Sequence, residues 1–158
     1  MKAKLPYGTV YETRAKNRRL GLGLMGMHEW LIQGGSKYEV TPELHNWLSV
    51  YKGVSDKDSK ETAERLCLSV PVANRAIAPT GSIGILAGTS TGVEPIFAVA
   101  YKRRYLRGNS RWVYQYVVDS AAQELIDRYG TSPNKIESAL DLAGDYERRM
   151  AFQADVQD

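Results

Sequence analysis

The sequence is poor in sulfur and imidazole chemistry. Cys67 is the only cysteine in 158 residues, which excludes a disulfide framework within the chain, a multi-cysteine metal site and a redox cysteine pair. A reducing, cytoplasmic setting is the expectation that follows. His28 and His45 are the only histidines, and His28 is followed by Glu29, Trp30, Leu31 and Ile32 rather than completing H-E-x-x-H. No metal site is therefore expected, and His28 reads as a helix-face or interface residue. No run of 18 apolar residues occurs, so no transmembrane helix is expected. The N-terminal segment MKAKLPYGTVYETRAKNRR lacks the apolar stretch of a secretory signal. G-x-S-x-G and the Walker A pattern are both missing, which leaves serine-hydrolase and P-loop readings without an anchor.

What is present fits one globular domain over 1–158: 43% hydrophobic and 25% charged residues lie in the ordinary range. The formal net charge is only +3, but the cations cluster. Lys16, Arg18 and Arg19 form one group, and Lys102, Arg103, Arg104, Arg107 and Arg111 another. Such clusters read first as solvated faces. The competing reading is a non-catalytic module that binds nucleic acid through the basic 102–111 segment.

Periodicity gives a mixed α/β or α+β chain. Residues 1–15, broken by Pro6 and Gly8, read as an irregular lead-in. Leu20, Leu24, Met27, Trp30 and Leu31 recur at helical spacing, so a helix is predicted from Asn17 to Gly34-Gly35. Thr41-Pro42-Glu43 is a helix start, and Ser55 opens a further helical stretch. Val70 to Ile77 reads as a strand. Two strands follow in IFAVAYKRRYL and RWVYQYVV, turned by Arg107-Gly108-Asn109-Ser110. Asp119 caps a helix that Gly130 ends, Ser132-Pro133 opens another, and a last amphipathic helix begins near Asp145. The sequence stops at FQADVQD with neither cap nor breaker, which reads as an interruption.

Two glycine motifs carry chemistry. Gly21-Leu22-Gly23-Leu24-Met25-Gly26 matches G-x-G-x-x-G, but no buried strand precedes it, as a dinucleotide fold requires. The competing reading is a glycine-bearing helix packed closely on a neighbour. The second motif lies in AIAPTGSIGILAGTSTGVEPIF, which holds no cation. There Pro79 stiffens the approach, Thr80 and Ser82 offer hydroxyls, and Gly81 leaves room against the backbone. Ser82 to Ala87 forms a short helix whose first amides, Ile83 among them, are free to bind phosphate without a lysine. A simple turn capped by Ser82, with Gly88 and Gly92 as turn residues, explains the same residues. Glu94 orients either the loop or a neighbouring stretch of backbone, or is an ordinary turn residue.

Together, NRRLGLGLMGMHEWL and VANRAIAPTGSIGILAGTSTGVEPIFAVAYKRRY resemble the large, catalytic subunit of ribonucleotide reductases, with the strongest likeness to the adenosylcobalamin-dependent class. The first is similar to the family's R-R-x-G-L-G-x-x-G segment, the second to its A-P-T-G-T-I-S phosphate loop followed by S-G-I-E-P, and ERRMAFQADVQD to a helix leading into a later part of the barrel. The resemblance implies part of a ten-stranded α/β barrel. It implies a ribonucleotide substrate, a diphosphate or a triphosphate, and adenosylcobalamin in the complete enzyme. It also implies that Pro79, Thr80, Gly81, Ser82 and Ile83 hold the substrate phosphate. Ser82 stands where threonine is usual and keeps the hydroxyl. Gly84 stands where serine is common and loses a donor, so Gly84 and Glu94 are supporting candidates only. The family's Asn-x-Cys-x-Glu motif and its cysteine pair have no match, so no residue here is assigned a catalytic role. Cys67 reads as a small buried apolar residue. The expected partner is the remainder of the barrel, in the same gene or as a separate chain.

Overall fold

The computed structural model describes residues 4, 6–108 and 110–157. They form six α-helices and one antiparallel strand pair, in two compact units. The helices are α1 (Gly8–Asn17), α2 (Met27–Gln33), α3 (Pro42–Arg65), α4 (Gly81–Ala87), α5 (Ser120–Tyr129) and α6 (Tyr146–Gln157); the strands are β1 (Ala100–Arg107) and β2 (Arg111–Val118).

The first unit comprises residues 1–23 and 42–78. The region expected to be irregular contains α1, and the helix expected from Asn17 is replaced up to Gly26 by extended chain. Its backbone pairs elsewhere: the Leu20 and Leu22 N–H groups donate to the carbonyls of Ala73 and Asn74, and the Ala76 N–H donates to that of Leu22. The expected strand at 70–77 is reduced to this pairing, with a single parallel bridge, Leu22 to Arg75. The glycines explain the close approach. A Cβ on Gly23 would lie 2.6 Å from the Ala76 carbonyl oxygen. The G-x-G pattern thus serves backbone contact, as the motif suggests, but with the chain's own residue 76.

Helix α3 starts at Pro42 as its Thr-Pro-Glu signature predicts, then runs through Ser55 without a break. The Ser55 hydroxyl donates back to the Lys52 carbonyl, so it decorates the helix rather than capping a new one. Asn74 and Arg75 tie the extended segment to it: Asn74 Nδ2 donates to the Ser55 carbonyl at 2.9 Å and Arg75 pairs with Asp56 at 2.6 Å. Arg75, and a second bond from Asn74 Nδ2 to Asp56 Oδ1, hold the Asp56 carboxyl below its usual range. Leu44 and Ala63 are this unit's buried apolar residues. Cys67, expected inside, is exposed. It sits just past α3 at φ 51°, where the left-handed turn that ends the helix points it outward.

The second unit comprises residues 24–41 and 79–158. Ile32 of α2, Ala122 and Leu125 of α5, Ile96 and Ile136 form its core cluster. Asp119 caps α5 as predicted, accepting from the Ala121 and Ala122 N–H groups, and Gly130 ends it at φ 61°. Burial pushes the Asp119 carboxyl up, opposed by those two bonds. The helix expected at Ser132-Pro133 shrinks to 3₁₀ turns at Pro133–Lys135 and Asp141–Gly144. Strands β1 and β2 pair in register from Ala100 with Val118 to Arg107 with Arg111; Asn109 of the predicted turn lies outside the described residues. The described residues contain two strands and no closed barrel, a mixed helix and strand arrangement that by itself leaves the number of strands in the expected barrel undefined. No helix among them is long and apolar enough to cross a membrane.

Candidate functional site

Helix α4 organises the neutral glycine-rich stretch. Thr80 precedes it in the left-handed conformation, φ 39°, and provides no side-chain cap. The first intrahelical bond runs from the Gly84 N–H to the Thr80 carbonyl at 2.8 Å. The N–H groups of Gly81, Ser82 and Ile83 therefore precede the ladder and lack intrahelical acceptors. A Cβ placed on Gly81 would meet no atom within 4 Å, so the space beside this first turn is open. The Thr80 hydroxyl oxygen is enclosed and has no hydrogen-bond partner among the described residues. The simple turn capped by Ser82 does not form, because Ser82 lies inside the helix.

Gly84 plays a different part. A Cβ there would fall 2.7 Å from Thr91 Cγ2 and 3.3 Å from the Thr89 carbonyl oxygen. Its missing side chain lets α4 lie against the following turn, and its amide is consumed inside the helix. Gly88, at φ 69°, turns the chain back, and the Thr89 N–H donates to the Gly84 carbonyl.

That turn is stitched to α2 by groups not singled out from the sequence. The Gly26 N–H donates to the Ser90 carbonyl at 2.9 Å, and the Glu29 N–H donates to the Ser90 hydroxyl at 3.3 Å. The Thr89 hydroxyl donates to the Glu29 carboxylate. Gly26 combines φ 75° with a Cβ position 2.5 Å from Thr89 Oγ1, so any side chain there meets both strain and a clash. The signal was present as the hydroxyl trio Thr89-Ser90-Thr91 between two glycines, but its partner, Glu29, lies 60 residues away.

A second set of contacts holds residues 93–97. The imidazole of His28 is fully buried, not on a surface, and its Nδ1 accepts from the Ile96 N–H at 2.9 Å. The ring proton of the neutral form is then on Nε2, which is enclosed without a partner among the described residues. Desolvation lowers the His28 pKa from 6.5 to about 4, with Glu137 opposing. Tyr38 packs edge-on against His28 and stacks on Phe152. Its hydroxyl donates to the Val93 carbonyl at 2.6 Å, and burial pushes its phenol well above the usual range. Glu94 pairs with Arg149 of α6 at 2.9 Å, both half-exposed.

The described residues contain no group of three or more His, Cys, Asp or Glu side chains placed to hold a metal. What α4 offers is a helix start with unused amides, a hydroxyl and open space, on a scaffold fixed by α2, Tyr38 and α6.

The model of the ribonucleotide reductase barrel domain matches residues 72–153, and the chain belongs to that family. A Mycobacterium phage D29 protein, provisionally named an adenosylcobalamin-dependent ribonucleoside-triphosphate reductase, is 32% identical over 96 residues, or 59% of this chain and 14% of the relative. The vitamin B12-dependent ribonucleoside-diphosphate reductase of Thermoplasma acidophilum is 29% identical over 140 residues, covering 77% of this chain and 18% of the relative. The chain thus spans under a fifth of the length of these relatives. Among solved structures, a B12-dependent class II ribonucleotide reductase superposes on 93% of this chain and 25% of its own, with a TM-score of 0.66 at 16% identity. The fold is that of a part of such a barrel.

Proposed function

We propose that the chain is a portion of a ribonucleotide reductase, an enzyme that converts ribonucleotides to deoxyribonucleotides by a radical mechanism, and that it supplies the site for the substrate phosphate. One observation carries the assignment: the first turn of α4 presents the amides of Gly81, Ser82 and Ile83 ahead of the helix ladder, beside open space at Gly81. Oriented amides and the helix dipole, about half a positive charge, stabilise an anion without a cationic side chain. The Ser82 hydroxyl adds a donor, Thr80 sets the start of the helix through its left-handed backbone, and Pro79 stiffens the approach. Gly84 serves packing, and Glu94 anchors the loop to α6 through Arg149.

The chemistry belongs to the rest of the enzyme. Cys67 is exposed and lacks a second cysteine. None of the described residues is assigned to the adenosylcobalamin that the phage relative's name includes. His28 has Nδ1 occupied and Nε2 enclosed, and no other cluster of ligating groups is present among them. In this reading the cofactor is held by the remainder of the barrel, in the cytoplasm, and the same remainder covers Ile85 and Leu86 of α4, which are 81% and 89% exposed. Large apolar side chains left this open mark an interface.

Titration of the chain, labelled with ¹⁵N-glycine, with cytidine diphosphate tests the loop. Saturable shifts at Gly81 are expected. Gly81→Val should weaken binding at least a thousandfold by filling the phosphate position, with little change in the unfolding midpoint because the site is open. Undiminished affinity in that variant, or saturable shifts confined to Gly21 and Gly23, would overturn the assignment.

A further inference from the structure

The β1–β2 ribbon is not accounted for by a phosphate loop. Its register places Lys102, Arg104 and Leu106 opposite Tyr116, Tyr114 and Trp112, and the two-residue repeat of a strand puts all six on one face. The ring-bearing face is uncovered, whereas Tyr101, Val113 and Val117 on the other face are half-buried. Trp112, Tyr114 and Tyr116 are 53%, 58% and 77% exposed, and no residue of β1 or β2 is buried. The three rings follow one another about 6.8 Å apart along the strand, the rise of two residues.

The charge on the ribbon is of one sign. Lys102, Arg103, Arg104, Arg107 and Arg111 lie between residues 100 and 118, which include no acidic residue. None of the five takes part in an ion pair among the described residues. Three of them, Lys102, Arg103 and Arg104, rest on aromatic rings instead. The Lys102 ammonium lies 4.8 Å from the Tyr114 centroid and 5.5 Å from that of Tyr116, and the Arg104 guanidinium lies 4.3 Å from Trp112. Arg103 is steadied by two bonds to Gln115 Oε1, at 2.8 and 3.1 Å. Such contacts orient the cations without neutralising them.

We propose that this ribbon binds single-stranded nucleic acid, with Trp112, Tyr114 and Tyr116 stacking on bases and Lys102 and Arg104, on the same face, contacting phosphates. An acidic peptide would use the cations and leave three regularly spaced, solvated rings without a role. A duplex would keep its bases away from the rings. Exposed aromatics interleaved with cations serve the bases and the backbone of a single strand together. The ribbon's eight residues per strand span about 27 Å, enough for several nucleotides. The inference stands independently of the phosphate loop.

Fluorescence anisotropy of a labelled twelve-nucleotide oligothymidylate with the full chain is the test. With two to three phosphates contacted, binding should weaken roughly 7- to 18-fold between 50 and 200 mM salt. Trp112→Ala should cost about tenfold at fixed salt and Trp112→Phe much less. If Trp112→Ala does not fold, the paired change Lys102→Gln and Arg104→Gln reads the same surface through the salt slope, which should flatten. Gly81→Val should leave this binding unchanged. Absence of binding at 20 mM salt overturns the proposal. So does unchanged affinity in folded Trp112→Ala together with equal competition by polyglutamate, which would assign the ribbon to an acidic protein.

Discussion

Residues 76–97 and 100–118 are near neighbours in the chain, and both are built to meet negative charge by opposite means. The first has one charged side chain, Glu94, and relies on backbone: unused amides at the start of α4, fixed by Gly84, Ser90 and His28. The second has five cations and four exposed rings, three of them on one face, on a two-stranded ribbon with no fully buried residue. A backbone site is rigid because its donors are the fold itself, so it can be specific for one phosphate group. A side-chain site is adaptable and responds to total charge, which suits a long and variable polyanion.

The largest expected break in that contrast comes from Gly81→Val. Nucleotide binding at the loop should fall at least a thousandfold while oligothymidylate binding to the ribbon stays the same; loss of both would mean that the two are not separate sites.

Acid comes next. The folded-state pKa of His28, about 4, lies below its ordinary 6.5. Its neutral burial therefore contributes stability that is complete above pH 6.5 and is lost as pH falls from 6.5 toward 4. The loss is on the order of 3 kcal/mol, measurable as a drop in denaturation midpoint between pH 7 and 4.5. His28→Asn, which does not titrate, should flatten that profile.

Gly84→Ala should destabilise by about 2 kcal/mol, since its Cβ would meet Thr91 Cγ2. Thr91→Ser, which removes that methyl, should recover part of the loss in a double-mutant cycle of thermal unfolding. The smallest effect is expected from Glu94→Gln. Its pair with Arg149 is half-exposed, so stability should change by about 1 kcal/mol or less and less still in high salt. A large loss of nucleotide affinity in that variant, with stability intact, would give Glu94 a direct role that its pairing does not suggest.

How much of this could be read from residues alone depended on how far away the deciding partner lay. The start of α3 at Pro42, the Asp119 cap, the Gly130 stop and the ribbon follow from signals within a few residues. The α4 start is legible for the same reason, since Pro79 to Gly84 are contiguous. The helix expected from Asn17 failed because Leu20 and Leu22 bond to residues 73 and 74, a tertiary pairing that outweighs an apolar repeat interrupted by three glycines. The partner of His28 on the buried face of α2 was out of reach for a similar reason. Nothing near His28 announces that its acceptor nitrogen is taken by the Ile96 amide, 68 residues on. Cys67 went astray because composition favours burial of a lone cysteine, whereas the left-handed turn after α3 decides its direction.

The bond from Ile96 to His28 has a use of its own. A main-chain amide that donates to a ring nitrogen loses its acceptor when the ring takes a second proton. Hydrogen–deuterium exchange at Ile96, followed from pH 7 downward and corrected for the intrinsic rate, should show protection that fades as the imidazole charges. That single amide would report, from inside the protein, how firmly the chain beyond α4 is held.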